Sequence, residues 1–179
     1  MRNKDRRNDD KYILKGLGAG LIGGLIASWT MNRFQDLWTK LADHQRQSEQ
    51  TLKKPQSNNE EQDDTTVRAA TAISEGLFDH KLTEKEKEIA GPAVHYGLGT
   101  GVGGLYGAVA EVAPKVTVGA GLPFGAAFWL VVDEGAVPLL GLSKGPKEYP
   151  LSTHAYALAS HFVYGLTAEV VRRAVRKAL

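Results

Sequence analysis

At 179 residues, with a formal charge of +2 and a mean hydropathy of -0.26, the chain has the averages of one ordinary soluble domain. So small a charge, with no basic face interleaved with aromatics, gives no reason to expect a nucleic-acid partner. The absence of cysteine excludes disulfides, thiolate catalysis and cysteine metal sites.

The averages conceal a strong segregation, because polarity is concentrated in residues 1 to 11 and 43 to 66. Four uncharged runs remain, Gly16 to Asn32, Ile89 to Ala110, Val116 to Val132 and Tyr149 to Ala168, against the roughly 20 apolar residues a spanning helix requires. The expected fold is therefore an all-α polytopic membrane bundle of about four transmembrane helices with glycine-rich contacts. Its parts are a basic N-terminus (1–15), a first span with an extension (16–42), a polar linker with a short amphipathic helix (43–82) and a three-span region (83–179).

The first run follows Arg2, Lys4, Arg6, Arg7, Lys11 and Lys15, which suits either a secretory signal or a retained anchor. No A-x-A-like site follows, and the apolar pattern continues through Phe34, Leu37, Trp38 and Leu41, which favours the anchor. Gly16, Gly20, Gly24 and Ser28 recur at intervals of four, a small-residue series that admits a close neighbour. Beyond the linker, Val67, Ala70, Ile73, Leu77 and Phe78 share one face of a helix over Thr66 to Phe78, lying on the membrane surface or packed on the protein.

Thr83 and Glu86 form the S/T-x-x-E signature of a helix start. The second span then carries Gly97, Gly99, Gly101, Gly103, Gly104 and Gly107, a density unfavourable to helix in water but tolerated in hydrocarbon. Val94, Gly97, Gly101, Gly104, Ala108 and Glu111 form a thin small-residue stripe, expected to meet the first span or another copy. Gly18, Gly20, Gly23 and Gly99, Gly101, Gly104 also satisfy G-x-G-x-x-G, but neither follows a buried strand, so no nucleotide site is expected.

Pro114 and Lys115 make a short link that predicts an antiparallel hairpin of spans two and three. Pro123 and Pro138 imply kinked or broken helix in Val116 to Leu142, with 135–142 as an interfacial or re-entrant piece or a surface turn. Arg172, Arg173, Arg176 and Lys177 crowd the end of the last span. With four spans, the positive-inside rule puts both termini in the cytoplasm.

Ionisable residues at membrane depth are the candidate functional groups. Counting about 1.5 Å per residue puts Glu111 and Glu169 near the cytoplasmic edge beside Lys115, Arg172 and Arg173, where ion pairing suffices. The same count brings His95, His154, Asp133 and Glu134 to the outer boundary, as solvated groups, a protonation site or a metal site of mixed ligands. His161, about 12 Å from Glu169, falls near mid-membrane. It reads as a cross-helix hydrogen bonder, a proton relay or, least well, a haem ligand. No H-E-x-x-H, G-x-S-x-G or Walker lysine is present, so no catalysis is expected.

The run YGAVAEVAPK from Tyr106, PLLGL from Pro138 and SHFVYGLTAEVVRR from Ser160 resembles the YagU-like family of bacterial inner-membrane proteins, over roughly residues 90 to 178. The resemblance implies a small polytopic protein of the inner membrane, connected in one branch with acid survival. Its matching positions are His95, Glu111, Lys115, Pro138, His161, Glu169, Arg172 and Arg173. The Asp133 and Glu134 pair and the long linker depart from the family pattern.

The leading expectation is a non-enzymatic, multi-pass inner-membrane protein whose His and Glu residues respond to protons and support pH or envelope homeostasis. A scaffold binding itself or another membrane protein through glycine faces is the alternative, and a small-solute channel a third. No cofactor is expected, and the bilayer is the certain partner of such a chain.

Overall fold

A computed structural model describes the backbone of residues 2–47 and 58–179 and the side chains of residues 10–42 and 65–179. Among them all regular structure is helical. The long elements are α1 (Arg2–Gln47), α2 (Asn58–Phe78), α3 (Glu84–Val112), α4 (Leu122–Val131), α5 (Val137–Leu139) and α6 (Leu151–Ala178). A π-helical turn over Val132–Ala136 joins α4 to α5, so the three form one 18-residue helix, Leu122–Leu139. Part of the predicted linker, residues 48–57, lies outside the described residues, and the amphipathic helix beyond it is α2, which begins at Asn58.

Close backbone approach sets the arrangement. A Cβ built on Gly20 would meet the Gly103 carbonyl oxygen, one on Gly24 that of Gly99, and one on Gly107 that of Gly16, so α1 and α3 run antiparallel with main chains nearly touching. On α6, a Cβ at Gly165 would meet the Gly121 carbonyl oxygen, and Gly125 faces the His161 carbonyl, which makes α4 and α6 antiparallel too. Gly23 lies against Ala168, and Ala27 and Met31 pack on Tyr164 and Ala168, which joins the two pairs through α1 and α6. α2 rests on α3, where Val67 and Thr66 cover Gly91.

The seam on α3 is the face carrying Gly99, Gly103 and Gly107, which corrects the stripe expected from spacing. Gly97 and Gly101 stand on the opposite side, where an added Cβ meets nothing within 4 Å, and the atoms nearest a Cβ on Gly104 belong to the Leu17 and Leu21 side chains rather than to main chain. With glycine at six of eleven positions, a 3–4 spacing can be drawn along either face, and only the partner chooses between them.

The third apolar run also begins later than its hydropathy suggests. Ala113 to Thr117 turn through a 3-10 segment, and Gly119, Ala120 and Gly121 follow at φ 75°, 55° and 86°. Gly121 is doubly required there, by its left-handed φ and by its contact with Gly165. Hence α4 starts at Leu122, Pro123 sits in its first turn without kinking it, and Lys115 belongs to a longer connection than a tight hairpin link. The 135–142 piece continues the helix through the π turn as far as Leu139.

Two helices are long and apolar enough to cross a membrane, residues Asp10–Ala42 and Leu122–Leu139. Only 6% of the second window is buried inside the protein, unlike the core helix of a soluble domain. Leu21, Ile22, Leu25, Ile26 and Trp29 of α1 and Leu130, Val131, Leu139 and Leu140 around the second are exposed.

At the start of α3 the Thr83 hydroxyl accepts the Glu86 N–H, and the Glu86 carboxylate accepts the Thr83 N–H at 2.7 Å. These bonds from Thr83 hold the Glu86 carboxyl below its ordinary range. Because the folded pKa is lowered, the contribution is present above the ordinary carboxylate range and is lost as acid protonates Glu86. Protection factors for amide exchange in the first turn of α3 should therefore fall in acid, and Thr83→Ala, which keeps the backbone N–H bond to Glu86 but loses the hydroxyl, should weaken that dependence.

The two faces of α3 also part on substitution. Gly103→Ala should lower stability by about 1–3 kcal/mol, the usual cost of overpacking, with Gly101→Ala close to neutral. Thermal unfolding of the purified protein in detergent measures both.

Candidate functional sites at the two ends of the bundle

The ionisable residues separate into two groups. At the end where Tyr12 of α1 meets the last turn of α6, Glu169 is 0% exposed. Its carboxylate accepts hydrogen bonds from Arg172 Nε at 2.7 Å and Nη2 at 2.9 Å, from the Tyr106 hydroxyl at 2.9 Å and from Arg173 Nε. A buried carboxylate requires such compensation, and the bidentate guanidinium supplies it in the plane of the carboxyl group. Spacings of three and four residues on one helix carry both arginines to Glu169. Arg173 also donates to the Thr117 carbonyl oxygen at 3.3 Å, tying the 3-10 turn to α6.

Beside this group Arg176 donates to both oxygens of Glu111, at 2.7 and 3.2 Å, and its guanidinium lies 5.7 Å from the Tyr12 ring. The expected partner Lys115 is instead exposed in the 3-10 turn. Tyr106 and Arg176 escaped sequence reasoning as members of this network. The i,i+4 rule reveals neither, because both reach a carboxylate on another helix.

The other end holds His95, Asp133, Glu134, His154 and His161. His161 is 3% exposed. Its Nδ1 donates to the Ala157 carbonyl oxygen at 2.9 Å, which fixes a hydrogen on that nitrogen. Asp133 Oδ2 lies 3.7 Å from Nδ1, an electrostatic contact beyond hydrogen-bond length. Counting rise along uninterrupted helices placed these two at different depths. The turn before Leu122 delays α4, so its eleven residues to Asp133 span only about 16 Å and bring the carboxylate level with His161.

The π turn puts Asp133 and Glu134 into adjoining spaces. An inner cavity of about 80 Å³ is lined by His95, Asp133, His161, Tyr164, Ser28 and Thr65, among others. An outer one of about 120 Å³ is lined by Asp133, Glu134, Lys144, Tyr149 and His154, among others, and Thr65, Asp133 and Val137 belong to both. His154 Nδ1 lies 2.6 Å from Glu134 Oε1. Among the described residues no group of three or more His, Asp or Glu side chains could hold a metal ion.

A column of rings separates the two ends. Tyr106 stacks on Phe124 with centroids 4.0 Å apart, Phe128 meets Tyr164 at 5.1 Å, and Phe128 meets the His161 ring edge-on at 5.2 Å. The Tyr164 hydroxyl donates to the Gly99 carbonyl oxygen at 2.5 Å, so this column is anchored to the α1–α3 seam.

The Glu169 group has a clear energetic signature. Glu169→Gln leaves the Arg172 guanidinium, 7% exposed, without its counter-charge, and should cost about 3–5 kcal/mol of stability. Adding Arg172→Met should recover a large part of that loss, as measured by thermal unfolding in detergent.

No curated protein and no solved structure matches this chain. Residues 46–170 match the model of the family described as protein of unknown function, DUF1440, a match that takes in well over half the sequence and both ionisable groups apart from Arg172, Arg173 and Arg176. The chain belongs to that family.

Proposed function

We propose that this is a non-enzymatic, multi-pass protein of a bacterial inner membrane that responds to protons at His161 and contributes to pH or envelope homeostasis. In this reading α1, α3, the Leu122–Leu139 helix and α6 all span, and both termini are cytoplasmic by the bias of lysine and arginine. The YagU-like resemblance, with its link to acid survival, agrees with it. The observation that carries the reading is the enclosure of His161, its Nδ1 held by the Ala157 carbonyl and the Asp133 carboxylate nearby, beside a cavity at one end of the bundle. Histidine is the side chain whose charge changes between pH 5 and 8, and a buried one couples that change to packing. The ring column between His161 and Glu169 favours a sensor over a conductor.

Open small-residue positions at Gly97 and Gly101 on α3 support a second reading, a scaffold that takes a neighbouring membrane helix on the face of α3 turned away from α1.

The Tm of the purified protein and of His161→Ala, measured in detergent from pH 5 to pH 8, separates the two readings. If His161 exchanges a proton in this range, the curves diverge with pH, by roughly 2–4 °C for each kcal/mol of linkage. Parallel curves would remove the sensor and leave the scaffold.

A further inference from the structure

His154 presents both ring nitrogens to oxygen. Nε2 lies 2.9 Å from the Pro146 carbonyl oxygen, which can only accept, so Nε2 carries a hydrogen. A neutral imidazole has no second hydrogen, and its bare Nδ1 would then face the lone pairs of an ionised Glu134 at 2.6 Å. That contact is repulsive. The geometry requires one more proton in the link, and the ordinary order of basicity, imidazole above carboxylate, places it on the ring as an imidazolium donating to the carboxylate.

We infer that Glu134 and His154 form a proton-held latch across the mouth of the His161 cavity, shut while the link keeps its proton and released when that proton passes to water. The latch ties three elements together: Glu134 on the π turn, His154 on α6, and Pro146 in the connection between Leu139 and α6. The other titratable groups at the site are Asp133 on the π turn, Lys144 and Tyr149 on the connection, and Tyr156 on α6. Asp133 favours the imidazolium and Lys144 opposes it.

Release follows from the same geometry. Loss of the proton sets lone pair against lone pair, the Nδ1 contact breaks, and the 143–149 connection is no longer held to the π turn. The outer cavity, already partly open in the latched state, then widens as far as Asp133, which also lines the inner cavity of His161. Acid therefore narrows the mouth and alkali widens it. That this controls a proton-responsive site rests on the function proposed above, whereas the latch itself rests only on the His154 contacts.

The chain has no cysteine, so single cysteines report access directly. With the full chain in lipid nanodiscs, Val137→Cys, at the junction of the cavities, is treated with a charged methanethiosulfonate reagent from pH 6 to pH 9. Its rate is divided by that of Lys81→Cys, in the exposed turn before α3, to remove the titration of the thiol. The ratio should rise several-fold as the link loses its proton. Adding Glu134→Ala should make it high at every pH, and Glu134→Gln low at every pH, because the amide donates to a bare Nδ1 without an added proton. Nitrogen-15 spectra of labelled histidine should show both His154 nitrogens protonated at pH 7 in the parent chain.

A flat ratio in the parent background, like behaviour of the alanine and glutamine variants, or a singly protonated His154 at pH 7 would overturn the latch. Ser143→Cys repeats the measurement should Val137→Cys fail to fold. Parallel Tm curves for His161→Ala with a titrating latch would instead remove the sensor alone.

Discussion

Every side-chain contact of consequence depends on main chains that approach one another without Cβ atoms between them. Gly20, Gly24, Gly103 and Gly107 bring α1 and α3 together, and Gly121, Gly125 and Gly165 do the same for α4 and α6. At that separation a tyrosine on one helix reaches the backbone or a carboxylate of the next, as Tyr164 reaches Gly99 and Tyr106 reaches Glu169. In a bilayer this contact replaces the hydrophobic effect, because lipid is as apolar as the helix surface and only packing and polar bonds distinguish a neighbour from solvent.

The seams hold two polar ends of opposite character. The Glu169 end is saturated: each carboxylate meets arginine, Arg176 reaches across to α3 and Arg173 to the 3-10 turn, and no proton needs to move. It fastens the bundle. The His161 end differs by the same standard, since its contacts run through histidine, whose charge depends on pH. A π turn inside a helix, which aims two consecutive carboxylates into neighbouring cavities, is the kind of irregularity that regular packing does not require.

The length and apolarity of the first run, the Thr83 capping box and the pairing of Glu169 with Arg172 and Arg173 were legible in the sequence. Each is a local property, governed by helical spacing within one segment. Hydropathy overstated the number of obvious spans: α3 and α6 fall short of the test that Asp10–Ala42 and Leu122–Leu139 meet, because glycine adds little and ionisable residues subtract much. The family match adds that the chain belongs to a family of unknown function.

The sequence by itself determined where α3 begins and which charges of α6 share a helical face, since these depend on neighbours within about one turn. Tertiary structure alone decided which glycine face of α3 is used, that Arg176 rather than Lys115 meets Glu111, and that Asp133 stands level with His161. Each of these turns on how one helix is shifted along another. That shift is set by a left-handed turn at 119–121 and by the fit of glycine to a facing carbonyl, and no spacing along a single helix encodes it.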